Sequence, residues 1–222
     1  MMAIQQKYVK ITAIILLVLT IIWLIFTIIS LSAVKSSWND SDYLGWVSNP
    51  DFFFTGGYVN ATLLTIVATI LFALVFGFLK SKYSAAALVG WVFVPVYSVL
   101  NLFCYSIQIS IVPSISQNAS GNPETVFLAA QLIQANSHSL IGFTNGMAYA
   151  ILGIPSISYG YLLCKESKKY TGIFLALNGL FCIVGVIGYV IRNAAMSMGV
   201  LIGGVVFLIS LIAMTVEFQF KE

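Results

Sequence analysis

Six apolar runs, each long enough to cross a bilayer, take up most of the chain. They are Ile11–Leu31, Val59–Leu79, Ala85–Val112, Ser139–Leu163, Thr171–Ile191 and Met198–Val216. A hydrocarbon core about 30 Å thick takes roughly 20 helical residues to cross, so each run qualifies alone. Charged residues are 8% of the chain and hydrophobic ones 60%, against about 25% charged in soluble proteins. A water-soluble domain could not hide that much apolar surface, so lipid must cover it. The sequence predicts an all-α polytopic membrane protein, a six-helix transmembrane bundle in one domain over residues 1–222. The first run exceeds a secretory h-region, and Leu31-Ser32-Ala33 is a poor cleavage site, so the run reads as a retained span.

Charge sets the expected direction. Lys and Arg in short loops stay cytoplasmic. With the amino terminus inside, the inner segments hold Lys7, Lys10, Lys80, Lys82, Lys165, Lys168, Lys169 and Lys221, eight cations, and the outer ones only two, Lys35 and Arg192. Both termini are expected in the cytoplasm. The net charge of +3 is scattered near helix ends and forms no basic face, which excludes nucleic acid as a partner.

Two outer segments are long, 32–58 and 113–138. The first carries Trp38, Tyr43, Trp46 and Phe52-Phe53-Phe54, which suit the headgroup zone. Asn49-Pro50 and Gly56-Gly57 read as turns. In the second, Ser114–Glu124 reads as a flexible loop and Thr125–Ala135 as a short interfacial helix with Gln131 and Gln134 on one face. Three Asn-x-Ser/Thr sites, at Asn39, Asn60 and Asn118, match a pattern that is frequent by chance. Spans two and four also echo each other, with Gly57-Tyr-Val-Asn60 beside Gly142-Phe-Thr-Asn145. Duplication of a helical hairpin would explain this; ordinary boundary residues would too.

No Asp, Glu, Lys, Arg or His falls in the middle of a span, which argues against a proton-coupled pump or voltage sensor. The neutral polar residues are patterned instead. On span three, Tyr97, Asn101, Tyr105 and Gln108 share one helical face, just after Pro95, which favours a kink. Span four carries Asn145, Tyr149 and Ser156 with Pro155, and span two presents Thr62, Thr65 and Thr69. Two readings stand. In one, Asn60, Tyr97, Asn101, Tyr105, Gln108, Asn145 and Tyr149 line a polar cleft between spans two, three and four that takes a neutral or amphipathic ligand. In the other, the same groups hydrogen-bond between helices and hold them together, each pair contributing about 0.6–2 kcal/mol. Glycines at 142, 146, 153, 160, 185, 188, 199 and 203 form seams for close packing, within the chain or in a homodimer.

Catalytic chemistry is sparse. One histidine, His138, cannot build a haem or polyhistidine metal site, and Cys104, Cys164 and Cys182 share no metal or disulfide spacing. His138 with Asp42 or Asp51 is the one candidate acid/base pair. No nucleophile elbow, phosphate loop or metalloprotease motif occurs, so no catalytic residue, metal or cofactor is assigned.

The six-span plan, the long first outer loop and short lysine-rich turns such as Leu79-Lys80-Ser81-Lys82 resemble six-span prokaryotic integral membrane protein families of unknown function. That resemblance is one of topology; it implies a prokaryotic inner (plasma) membrane and no active site. The functional expectation is a non-enzymatic membrane subunit or ligand-binding module, partnered by the bilayer and by another membrane protein or a second copy. A small carrier or channel for a neutral or lipid-like solute is the alternative, and an outer-face membrane enzyme the third.

Overall fold

The structure, a computed structural model, describes residues 2–32, 40–119, 122–136 and 139–219, with the side chains of residues 2, 3 and 40–42 left out. His138, Lys35, Trp38, Asn39 and Lys221 lie outside the described residues, as does the side chain of Asp42. Among the described residues there are helices and no strands. In order they are α1 (Met2–Ser32), α2 (Asp40–Ser48), α3 (Phe52–Leu79), α4 (Ser84–Ser110), α5 (Val112–Gln117), α6 (Pro123–Leu132), α7 (Leu140–Lys165), α8 (Lys169–Val190), α9 (Ala194–Ser197) and α10 (Gly199–Glu217). Six segments are long and apolar enough to cross a membrane: Ile4–Ser32, Phe52–Leu79, Ser84–Gln117, Leu140–Lys165, Lys169–Val190 and Ala194–Glu217. This is a multi-pass membrane protein.

Helix ends depart from the sequence reading for local reasons. α3 starts at Phe52, not Val59, because the Asp51 carboxylate accepts a 2.6 Å hydrogen bond from the Phe54 amide and caps the helix. Gly56-Gly57 is therefore helical rather than a turn. A β-carbon at Gly56 would meet the Phe26 ring at 2.8 Å, so this glycine admits a neighbouring helix. The expected loop at Ser114–Glu124 is partly helical as well, since α5 extends to Gln117; Pro113, which cannot donate, separates it from α4. α6 matches the expected short helix, capped by Asn122, whose Oδ1 accepts from the Glu124 amide at 3.0 Å. It ends at Leu132, so Gln134 lies beyond it, in a turn closed by the Asn136 amide donating to the Ile133 carbonyl at 3.2 Å.

Contacts divide the chain into two compact units. The first comprises the described residues of Met1–Val18, Ile66–Val99 and Gly146–Glu222, the second those of Leu19–Thr65 and Leu100–Asn145. In the first unit, α7 and α8 form an antiparallel pair along a glycine seam. A β-carbon at Gly160 would sit 2.5 Å from the Gly172 carbonyl oxygen, and one at Gly172 would sit 2.5 Å from that of Gly160. Seven residues along, Gly153 comes equally close to Gly179, with its added carbon 2.7 Å from the Gly179 oxygen. Lipid tails are as apolar as leucine, so helices in a bilayer gain little by hiding apolar area and much by approaching closely. α8 and α10 do the same through Gly185, Gly199 and Gly203, and Asn178 Nδ2 donates to the Gly203 carbonyl at 3.0 Å. These seams are filled by helices of the same chain. On α1, Val9, Ala13 and Leu16 are buried at helical spacing while Ile4, Ile11, Ile14, Ile15 and Val18 stay exposed, an apolar face of the kind a membrane-spanning helix turns outward.

The second unit has its own core. Val47, Phe54, Tyr58, Ala61, Cys104, Ile107, Val112, Ile133 and Ile141 pack together with Trp23 and Trp46 against them. Trp46 stacks edge-on to Phe54 at 4.9 Å and donates from Nε1 to Ser30 Oγ at 3.0 Å, while Gln117 Nε2 donates to the Ser48 carbonyl at 2.8 Å. The described aromatic residues between α1 and α3 thus pack into this core, with Trp46 carried by α2 and Phe54 by α3, while Phe52 stays on the surface.

Candidate functional site

Within the second unit, α3, α4, the chain after α6 and the start of α7 bring a set of amides and phenols together. Tyr105 and Gln108 lie one helical turn apart on α4, and Asn101 lies one turn before them. All three are buried, Asn101 and Gln108 at 0% exposure. Asn145, in the second turn of α7, is the hub. Its Nδ2 donates to Asn101 Oδ1 at 2.9 Å and to the Tyr105 hydroxyl at 3.3 Å, and its Oδ1 accepts from Gln134 Nε2 at 2.9 Å. Gln134 Oε1 in turn accepts from the Tyr58 hydroxyl at 3.1 Å. Gln108 clamps the turn that follows α6. It accepts from the Gln134 backbone amide at 3.1 Å and donates to the Leu132 carbonyl at 2.8 Å.

The network has a direction. Donors run from Tyr58 to Gln134, from Gln134 to Asn145 and from Asn145 to Asn101. Turning the Asn101 amide over would place two NH₂ groups face to face, so its oxygen is held toward Asn145. Its own Nδ2 then ends the series, fully buried and with no acceptor. An unmet buried donor costs about 1–3 kcal/mol. Ser116 Oγ, the Tyr159 hydroxyl, Thr171 Oγ1 and Ser210 Oγ are likewise buried without a partner among the described residues, but only Asn101 Nδ2 ends a hydrogen-bonded series of this length. The arrangement therefore ends in one donor without an acceptor. It offers no charge, no metal ligand and no general base, and is suited to a neutral group.

Of the residues expected at a cleft, Asn101, Tyr105, Gln108 and Asn145 come together. Asn60 does not join them; its Nδ2 donates to the Leu19 carbonyl at 2.8 Å and ties α3 to α1. The matching Gly-x-x-Asn sequences of spans two and four therefore serve different contacts. Tyr97 and Tyr149 pair in the first unit, with ring centroids 5.9 Å apart. Thr62 and Thr65 bond back to their own helix, and Thr69 to Ser98 of α4. Both α4 and α7 continue through their prolines. Asp51 is the α3 cap, and the His138 half of the acid/base candidate lies outside the described residues. Tyr58 and Gln134 belong to the network, and the sequence marks neither as a site. Tyr58 does precede Asn60 by two residues, and Gln134 does stand beside Gln131 on one face of the expected interfacial helix.

Comparison with protein-family models, curated proteins and solved structures finds no match to this chain.

Proposed function

We propose that this chain is a non-enzymatic membrane protein acting as a ligand-binding module for a neutral, lipid-like molecule, held through an oxygen on the Asn101 amide. The observation that carries the reading is the buried Asn101 Nδ2 without an acceptor at the end of a directed hydrogen-bond series. The neutrality of the surrounding side chains favours an uncharged ligand, because an ion in this setting would lack a partner. The membrane depth of the apolar helices favours one that partitions into lipid.

Monoolein is a suitable probe, since it is neutral and carries an ester carbonyl and glycerol hydroxyls. Titrated into the detergent-solubilised full chain, it should raise the unfolding midpoint saturably. A stabilisation on the order of 2–3 kcal/mol is expected at about 100 times Kd. Asn101→Leu should remove most of that increment, whatever it does to the baseline. An equal increment in both proteins would refute the reading.

We further propose a prokaryotic inner membrane with both termini cytoplasmic, supported by the eight-to-two distribution of cations. Cys164 is a native reporter, because it is exposed while Cys104 and Cys182 are buried. A membrane-impermeant maleimide should leave Cys164 unlabelled in intact cells and label it after permeabilisation. Labelling in intact cells would reverse the orientation.

A further inference from the structure

The first unit carries a second feature, independent of the Asn101 network. The turn between α3 and α4 and the turn between α7 and α8 are fastened through Glu166. Lys82 Nζ meets its Oε2 at 2.6 Å and the Tyr83 hydroxyl donates to its Oε1 at 3.0 Å. The hydrogen bond from Lys82, aided by that from Tyr83, holds the Glu166 carboxyl below its ordinary range. Five lysines sit on these two turns: Lys80, Lys82, Lys165, Lys168 and Lys169. The other acid at this end among the described residues, Glu217, is taken up too. Its carboxylate accepts from the Tyr170 and Thr171 amides at 3.0 and 2.9 Å, capping α8, and Lys168 donates to its backbone carbonyl.

Both carboxylates are therefore committed, and Lys80, Lys165 and Lys169 face none among the described residues. All three are exposed. Lys165 Nζ rests 4.3 Å from the centre of the Tyr161 ring and Lys80 Nζ 5.7 Å from that of Phe76, contacts that orient an ammonium without neutralising it. Exposed Tyr161 and Tyr170 flank the lysines, and exposed Ile157 and Ile173 continue along α7 and α8. Cations rimmed by amphipathic rings above an apolar helix face match a phosphodiester with its acyl chains below.

We infer that these two turns form a binding site selective for the headgroup of an anionic phospholipid, with Lys80, Lys165 and Lys169 as the phosphate-facing groups. A lipid is favoured over free phosphate because apolar and aromatic surface adjoins the charge on the same helices. Each lysine near a headgroup contributes enough that three together give about tenfold selectivity or more.

The test titrates the full chain in mild detergent with phosphatidylglycerol or phosphatidylcholine of identical acyl chains, counting bound lipid by native mass spectrometry. Wild type should retain the anionic lipid about tenfold more tightly, and rising ionic strength should reduce the difference. The triple variant Lys80→Gln, Lys165→Gln, Lys169→Gln should bring the ratio close to one, while the corresponding triple arginine variant keeps it. Equal retention of the two lipids by wild type would overturn the inference, as would a preference that survives the glutamine variant. Displacement of the anionic lipid by millimolar inorganic phosphate would overturn it as well, by making the site one for a soluble anion.

Discussion

Gly160→Ala is expected to destabilise the protein by about 3 kcal/mol or more, the upper range for overpacking a close-fitted contact. The added carbon would lie 2.5 Å from the Gly172 carbonyl oxygen and 2.8 Å from the Ala176 amide nitrogen. Both obstacles are backbone, and a helix backbone cannot turn aside as a side chain can. Relief requires α7 and α8 to separate along the whole seam, which also loosens the Gly153–Gly179 contact. Gly204→Ala is the matched control. Nothing lies within 4 Å of its added carbon, and alanine is the better helix former by up to about 1 kcal/mol, so that variant should be neutral or slightly more stable. Thermal unfolding of the two purified variants in one detergent checks the pair. Equal stability would mean that the seam is not closed in the folded protein.

Asn145→Leu should cost about 2–4 kcal/mol. Three hydrogen bonds end on this side chain, each contributing about 0.6 kcal/mol or somewhat more in a membrane protein. Its removal also strands the buried Asn101 Oδ1, which adds about 1–3 kcal/mol, and leaves half-buried Gln134 Nε2 without its acceptor. Asn60→Leu breaks one bond, to the Leu19 carbonyl, and should cost about 1 kcal/mol or less. At roughly 2–4 °C per kcal/mol for a chain of this length, the two unfolding midpoints should separate clearly. A double-mutant cycle of Asn145→Leu with Gln134→Leu should show strong coupling, because either change alone leaves the other partner unmet. Additive effects would mean that the two amides do not share a bond.

The spans were legible because a 20-residue apolar run has only one solvent in which it can rest. Their ends were less so. α1 begins at Met2, well before Ile11, and includes Lys7 and Lys10, whose long apolar stems let a helix run past the hydrocarbon boundary. The α3 start depends on one carboxylate, Asp51, bonding three residues ahead, and Phe52-Phe53-Phe54 reads equally well as interfacial loop or first turn. The inward face of α4 was visible as the spacing of Asn101, Tyr105 and Gln108. Its partners were not, since Tyr58 and Gln134 are 76 residues apart and periodicity within one helix says nothing of which helix it meets. Gly172 and Gly179 show the same limit. They lie seven apart on α8 and match the spacing of Gly153 and Gly160 on α7, a correspondence that becomes informative only once the two helices are known to be antiparallel neighbours.

The central claim is that the Asn101 amide awaits an acceptor from outside the protein. A structure of the full chain in lipid nanodiscs, resolved well enough to distinguish headgroups from water, tests it most directly. The expected result is an ester carbonyl or hydroxyl oxygen of a bound neutral molecule within about 3.2 Å of Asn101 Nδ2. A protein carbonyl in that place, water alone, or an empty and unmet amide would contradict it.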